Sequence, residues 1–292
     1  MKKLIAQAAV SLLVSGAVAT AFAGGPDVPA PMVTPGLYLG LGGSWNTVDE
    51  STGTIISASA NNATAAATGN LGGTTGRTAW DQYDASQNRL APMAQLGYWA
   101  PIDNEWLWGI VAQWKYLGYK TQNENTSRGQ FLDNATANPV IFATAPANVS
   151  SQTRVNNEVL LLVYFGAQYD KGYFYLGLGP ALFTAYNAVY ANGITTGLPP
   201  AGPNTFSPSV STYETMWGGA AQLGYNYYFK PTWFLGFNYT YALSGTYNFG
   251  SSADQAAFES GTAANLATLN FSRNVQITIQ EVMFSINKVF EM

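Results

Sequence analysis

The 292-residue chain has no cysteine and no histidine. Without Cys there is no disulfide, thiolate nucleophile, iron–sulfur ligand or lipoprotein anchor. Without His the commonest metal ligand and general base are missing, which excludes zinc centres and Ser-His or Cys-His pairs. Charge is scarce too, at 10% of residues, against about 25% in an average soluble domain. After residue 23 there is no run of 18 apolar residues, so spanning helices are excluded. The chain instead carries 30 Gly, 18 Tyr, 15 Phe and 8 Trp, with a mean hydropathy near zero. That composition fits strands whose apolar and polar side chains alternate.

Residues 1–23 read as a secretory signal: Lys2 and Lys3 lead an apolar stretch, Leu4 to Val18, and Ala21-Phe22-Ala23 is a small-x-small cleavage site. The formal charge is −4; removing these two of 12 basic residues leaves 10 against 16 acidic ones, so −6. A negative balance argues against nucleic acid as a partner. The leader 24–35 carries four Pro, and 36–292 is expected to be one barrel domain.

Period-2 alternation marks eight segments, near 36–48, 88–100, 106–120, 156–169, 173–190, 212–229, 233–248 and 275–290. In the seventh, Trp233, Leu235, Phe237, Tyr239, Tyr241 and Leu243 oppose Gly236, Asn238, Thr240, Ala242 and Ser244. One face is bulky and apolar; the other holds glycines, amides and nearly all strand charges. A narrow lumen favours the small polar face and lipid favours the bulky one, so the apolar face is expected outside. In segment eight Val275, Ile277 and Ile279 are odd whereas Val282, Phe284 and Ile286 are even, which predicts a bulge near Gln280-Glu281. The alternative is an upper strand standing clear of lipid.

The connections alternate in length. Pro101-Ile102-Asp103-Asn104-Glu105, Asp170-Lys171-Gly172 and Lys230-Pro231-Thr232 are tight turns, whereas 49–87, 121–155, 191–211 and 249–274 are long and rich in Asn, Thr, Ser, Ala and Gly. Short turns at one end and long loops at the other are the arrangement of a transmembrane barrel. The fold class is therefore all-β, an eight-stranded antiparallel up-and-down transmembrane β-barrel. Trp99, Trp106 and Trp108 flank the first turn, Tyr169, Tyr173 and Phe174 the second, Tyr227, Phe229 and Trp233 the third. Such clustering reads as an aromatic girdle at the periplasmic interface.

With the opening Leu37-Tyr38-Leu39-Gly40-Leu41-Gly42-Gly43-Ser44, this pattern resembles the small bacterial outer-membrane barrels of the OmpA-barrel, OmpX and opacity-protein type, over residues 36–290. The resemblance implies a place in the bacterial outer membrane, lipid as the immediate partner, and an interior polar network.

The charges on the lumen face are Arg89, Lys115, Glu158, Glu214 and Glu281. Lys115 and Glu281 are expected at depth; Arg89, Glu158 and Glu214 read as solvated rim charges. Asp49, Glu50, Asp81 and Asp84 read as solvated residues of the first loop. No motif points to a cofactor, a metal or catalysis. The leading expectation is a scaffold presenting long loops to a host or environmental ligand, in envelope structure, adhesion or as a surface antigen. The alternative is a narrow channel for small solutes or ions.

Overall fold

Each tight turn is set by its own residues. Asp103 accepts from the backbone N–H of Glu105 and of Trp106, at 2.8 and 2.7 Å. Asp170, with a φ of 49°, opens the two-residue turn between Tyr169 and Gly172, a conformation that Asp tolerates better than most residues. Pro231 and Thr232 make the third turn, between the paired Lys230 and Trp233.

A computed structural model describes residues 35–62, 74–103, 105–125, 131–132, 141–142, 148–192, 194–196, 204–206, 209–260 and 263–290. The signal segment expected at 1–23, and the leader up to residue 34, lie outside the described residues. The strands in chain order are β1 (Gly36–Asn62), β2 (Thr74–Pro101), β3 (Trp106–Asn125), β4 (Phe131–Leu132), β5 (Ile141–Phe142), β6 (Asn148–Tyr169), β7 (Gly172–Asn192), β8 (Ile194–Thr196), β9 (Asn204–Phe206), β10 (Ser209–Lys230), β11 (Trp233–Ser244), β12 (Tyr247–Ser260) and β13 (Ala263–Phe290). Eight of them, β1-β2-β3-β6-β7-β10-β11-β13, pair antiparallel in that order, and β1 closes the ring on β13. The short strands β4, β5, β8 and β9 form a separate sheet.

The apolar face is outside. Leu39, Leu41, Trp45, Leu96, Leu161, Phe165, Leu178, Phe237 and Phe284 are exposed, while Asn46, Gln113, Gln222, Asn238, Thr240 and Asn287 are buried in the lumen. That is the polarity a lipid belt requires.

The strands run well past that belt. A membrane strand needs about 9–11 residues, whereas β1, β2 and β13 have 27, 28 and 28. Much of what reads as long loops at 49–87, 121–155, 191–211 and 249–274 is therefore strand. The ring also changes form with height. Pairing of β2 with β3 ends at Met93 and Lys115, next to Pro92, which has no N–H to donate. Pairing of β10 with β11 ends at Gly218 and Ser244, where the strand breaks at Gly245 and Thr246 before β12. Above these points two four-stranded sheets face each other: β3-β6-β7-β10 and β12-β13-β1-β2.

The bulge expected near Gln280-Glu281 is absent. β13 pairs with β1 without a shift from Phe290 to Asn265, and Val275, Ile277, Ile279, Glu281 and Met283 all point inward. What changes is the surroundings: above the lipid, apolar residues belong between the sheets. The register shifts lie elsewhere. Gly118 takes a φ of 56° where β3 shifts against β6 between Tyr116 and Tyr119, and β6 carries one extra residue against β7 between Val155 and Asn157.

Candidate functional site

The lumen is filled in successive layers. At the short-turn end lies an aromatic plug. The Trp99 ring sits 4.1 Å from Tyr173 and stacks on Tyr228 at 5.7 Å; Phe234 lies 5.1 Å from Tyr228 and meets Tyr38 edge-on at 5.3 Å; Tyr164 lies 5.1 Å from Tyr175. The Tyr38 and Tyr164 hydroxyls are hydrogen-bonded to each other. Glycine makes room for these rings, because a Cβ at Gly97 would run into Tyr38 and one at Gly224 into Tyr175.

Trp99 and Tyr173 thus do not belong to the expected girdle. Turn proximity pointed outward, but both occupy lumen positions, in phase with Gly97 and Tyr175, and are fully buried. Of the other girdle residues, Trp106, Trp108, Tyr169, Tyr227 and Phe229 are exposed on the outer face. Phe174 and Trp233 are half-buried, and the Lys288 ammonium lies 4.9 Å over the Trp233 ring.

Above the plug is a belt of amides. Gln95 donates to Asn287 Oδ1 at 2.5 Å, Gln113 to Gln95 Oε1 at 3.1 Å, and Gln222 to Gln113 Oε1 at 3.1 Å and to Thr240 at 2.8 Å. The belt crosses the barrel, since its members come from β2, β3, β10, β11 and β13.

The next layer is ionic. The fully buried Lys115 ammonium pairs with Glu158 at 3.1 Å and with Glu281. Glu158 is therefore no rim charge. It lies directly across from Lys115 in the β3–β6 register and has no solvent exposure. Of the five sequence candidates the structure brings these three together. Arg89 is exposed near the end of the β2–β3 pairing, and Glu214 is half-buried near the mouth. Among the described residues, one oxygen each of Glu158 and Glu281 lacks a hydrogen-bond donor.

Val48, Leu117, Val155, Phe183, Met216, Ile277 and Ile279 then form an apolar layer. Above it a polar clasp joins the two external sheets. Glu50 of β1 accepts from the hydroxyls of Tyr119, at 3.0 Å, and Thr121, both on β3. Arg273 of β13 pairs with Glu50 at 3.1 Å and donates to Thr153 Oγ1 at 2.8 Å and to the Gln152 carbonyl at 3.3 Å, both on β6. Burial, reinforced by the Glu50 charge, holds the Tyr119 hydroxyl well above the usual phenol range. The sequence reading missed this clasp. It set Glu50 among solvated loop acids and Arg273 inside a long loop. The faint signal was the inward row Val48, Glu50, Thr52, Thr54 continuing the phase of β1.

No protein-family model matches the chain. It is 26% identical over 277 residues, 92% of this chain and 91% of the other, to Outer membrane protein P1 of Coxiella burnetii (strain RSA 493 / Nine Mile phase I). Among solved structures, the outer membrane protein OprG from Pseudomonas aeruginosa is similar with a TM-score of 0.36 and 13% identity, covering 88% of this chain and 98% of that one. Neisserial surface protein A is similar with a TM-score of 0.31 and 11% identity, covering 84% and 97%. The closed ring of eight strands, the apolar outer belt and the near full-length bacterial relative make the chain a bacterial outer-membrane β-barrel of the small eight-stranded type.

Proposed function

We propose that this barrel is a sealed, non-enzymatic scaffold that carries a rigid external β-structure and its connecting loops to the cell surface, for envelope structure, adhesion or as a surface antigen. One observation carries the reading: buried aromatic, amide, ionic and apolar layers follow one another up the lumen. Eight strands enclose a space that side chains can fill. The work of such a molecule then falls to what stands outside, where recognition on rigid scaffolds is usually placed.

A narrow channel is the second reading. It is favoured by the carboxylate oxygens of Glu158 and Glu281 that face the lumen without a donor, because such groups can hold a water path. Single-channel recording of the folded 24–292 protein in a planar bilayer separates the two, with the heat-dependent gel-mobility shift as the folding control. Silence is the expected result for the scaffold. Discrete conductance that disappears in a Lys115→Met variant would replace it with the channel.

A further inference from the structure

Outward residues of the β3-β6-β7-β10 sheet stack in cross-strand rows. The uppermost apolar row is Trp114, Val159, Leu182 and Trp217. The next is Tyr116, Asn157, Thr184 and Thr215. Above it comes Lys120, Arg154, Tyr186 and Tyr213, one residue from each strand.

This row is unusual in three ways. Lys120 and Arg154 stand directly opposite each other, a like-charge pairing that destabilises a sheet unless an anion compensates it. Among the described residues neither has a carboxylate within salt-bridge reach; the neighbours of Arg154 include the Gln152 amide, Tyr190 and the Tyr186 ring, 5.6 Å from the guanidinium carbon. Tyr186 in turn lies 4.7 Å from the exposed Tyr213. Second, the chain is acidic, with 12 basic residues in all, so the cations are concentrated here against the average. Third, among the described residues the outward-phase charges of the opposite sheet are acidic. Above Trp45, Leu90 and Val282, the outward rows of β1, β2 and β13 carry Asp49 and Asp84.

Height identifies the occupant. Four to six residues of tilted strand separate the cationic row from the tryptophan row, about 10 Å or a little more along the barrel axis. The headgroup layer begins at the edge of the hydrocarbon and extends roughly 5–7 Å beyond it in an ordinary phospholipid leaflet, and further where the headgroup is a sugar. We propose that Lys120, Arg154, Tyr186 and Tyr213 form a docking site for a phosphate-bearing glycolipid of the outer leaflet. The guanidinium can take two phosphate oxygens in a fork and the ammonium adds a point charge. The tyrosines offer ring faces and hydroxyls to the attached sugar. The site rests on the outer-membrane placement alone and holds whether the lumen is sealed or conducts.

The test is binding of fluorescent bisphosphorylated lipid A to the folded protein in neutral detergent micelles. Each basic residue near a membrane surface contributes about 1 kcal/mol, so a Lys120→Gln/Arg154→Gln variant should bind roughly thirty-fold more weakly. A Lys230→Gln/Lys288→Gln variant, altered at the opposite end, should bind like the wild type. Chemically dephosphorylated lipid A on the wild type needs no variant and should show a similar loss. Unchanged affinity in either the first variant or the dephosphorylated arm overturns the proposal. Displacement of the lipid by equimolar inorganic phosphate overturns it too, since that describes a free-anion site.

Discussion

Substituting Lys115 tests the sealed lumen most directly. The ammonium is fully buried, lies 3.1 Å from Glu158 and also bonds Glu281. Lys115→Met keeps the volume of the stem and removes the charge. Two carboxylates then share a dry layer between the amide belt and the apolar layer with no cation. Removing one partner of a buried ion pair costs about 3–5 kcal/mol, and here both orphaned groups are anions, which places the loss at the upper end. Glu281→Gln is the contrast. It turns two carboxylates per ammonium into one and retains an acceptor, so its cost should stay near 1 kcal/mol, the worth of an ordinary hydrogen bond. The triple variant Lys115→Met/Glu158→Gln/Glu281→Met removes every charge and should recover most of the loss, because replacing a buried ion group with packed apolar groups is often neutral or better. Equilibrium urea unfolding in phospholipid vesicles, followed by tryptophan fluorescence, gives the three values at a common slope. If Lys115→Met costs less than about 1 kcal/mol, the value of an exposed pair, the layer is wet and the sealed-lumen reading falls with it.

Three further outcomes follow from the layers and the clasp. Arg273→Met leaves Glu50 with two hydroxyl donors and no cation, so amide hydrogen exchange should quicken at 48–54 and 150–155 while 107–114 in the membrane ring keeps its protection; equal quickening in both regions would mean the clasp is not local. The Tyr119 phenol is held above its ordinary range, so the folded state keeps a proton that the unfolded chain releases from about pH 10 upward. Stability should therefore fall with rising pH above 10, and the fall should be smaller in Tyr119→Phe; identical pH profiles would place Tyr119 in water. Gly97→Ala pushes a methyl into the Tyr38 ring and should cost about 1–3 kcal/mol as overpacking, with a Gly97→Ala/Tyr38→Leu double variant recovering part of it in the same urea assay.

Strand number, ring direction and the outward apolar face were legible because all three rest on period-2 alternation and on turn residues, which are local properties. The errors arose where distance from a turn was allowed to stand for phase. Trp99 and Tyr173 flank turns, yet their phase with Gly97 and Tyr175 already marks them as lumen residues. Glu158 was misjudged because its segment was expected to begin near 156, whereas β6 starts at Asn148 and so carries Glu158 well inside the strand, opposite Lys115. The clasp was out of reach for another reason. Glu50 and Arg273 lie 223 residues apart, inside stretches so rich in Asn, Thr, Ser and Ala that they read as loops. β-propensity is set by what a strand packs against rather than by its composition, and those stretches pack against each other.

The same reasoning turns the phase puzzle in β13 into a ruler. Val282, Phe284, Ile286 and Phe290 face out, and Val275, Ile277 and Ile279 face in, on one unbroken register. A side chain at a fixed phase is apolar where its face meets lipid or a dry core and polar where it meets water or a hydrogen-bonded lumen. The switch therefore marks the outer edge of the bilayer between Gln280 and Val282. On β1 the corresponding switch falls between Trp45 and Thr47, the residues paired with Val282 and Gln280. Gly36–Trp45 is then the membrane portion of β1, ten of its 27 residues, within the about 9–11 that a crossing requires. The larger part of the strand stands outside as one face of a clasped sandwich. A strand with more of its length in the exterior than in the bilayer is what the proposed scaffold requires. The buried lumen layers and the clasp serve that proposal in the same way, by bracing the barrel wall from inside.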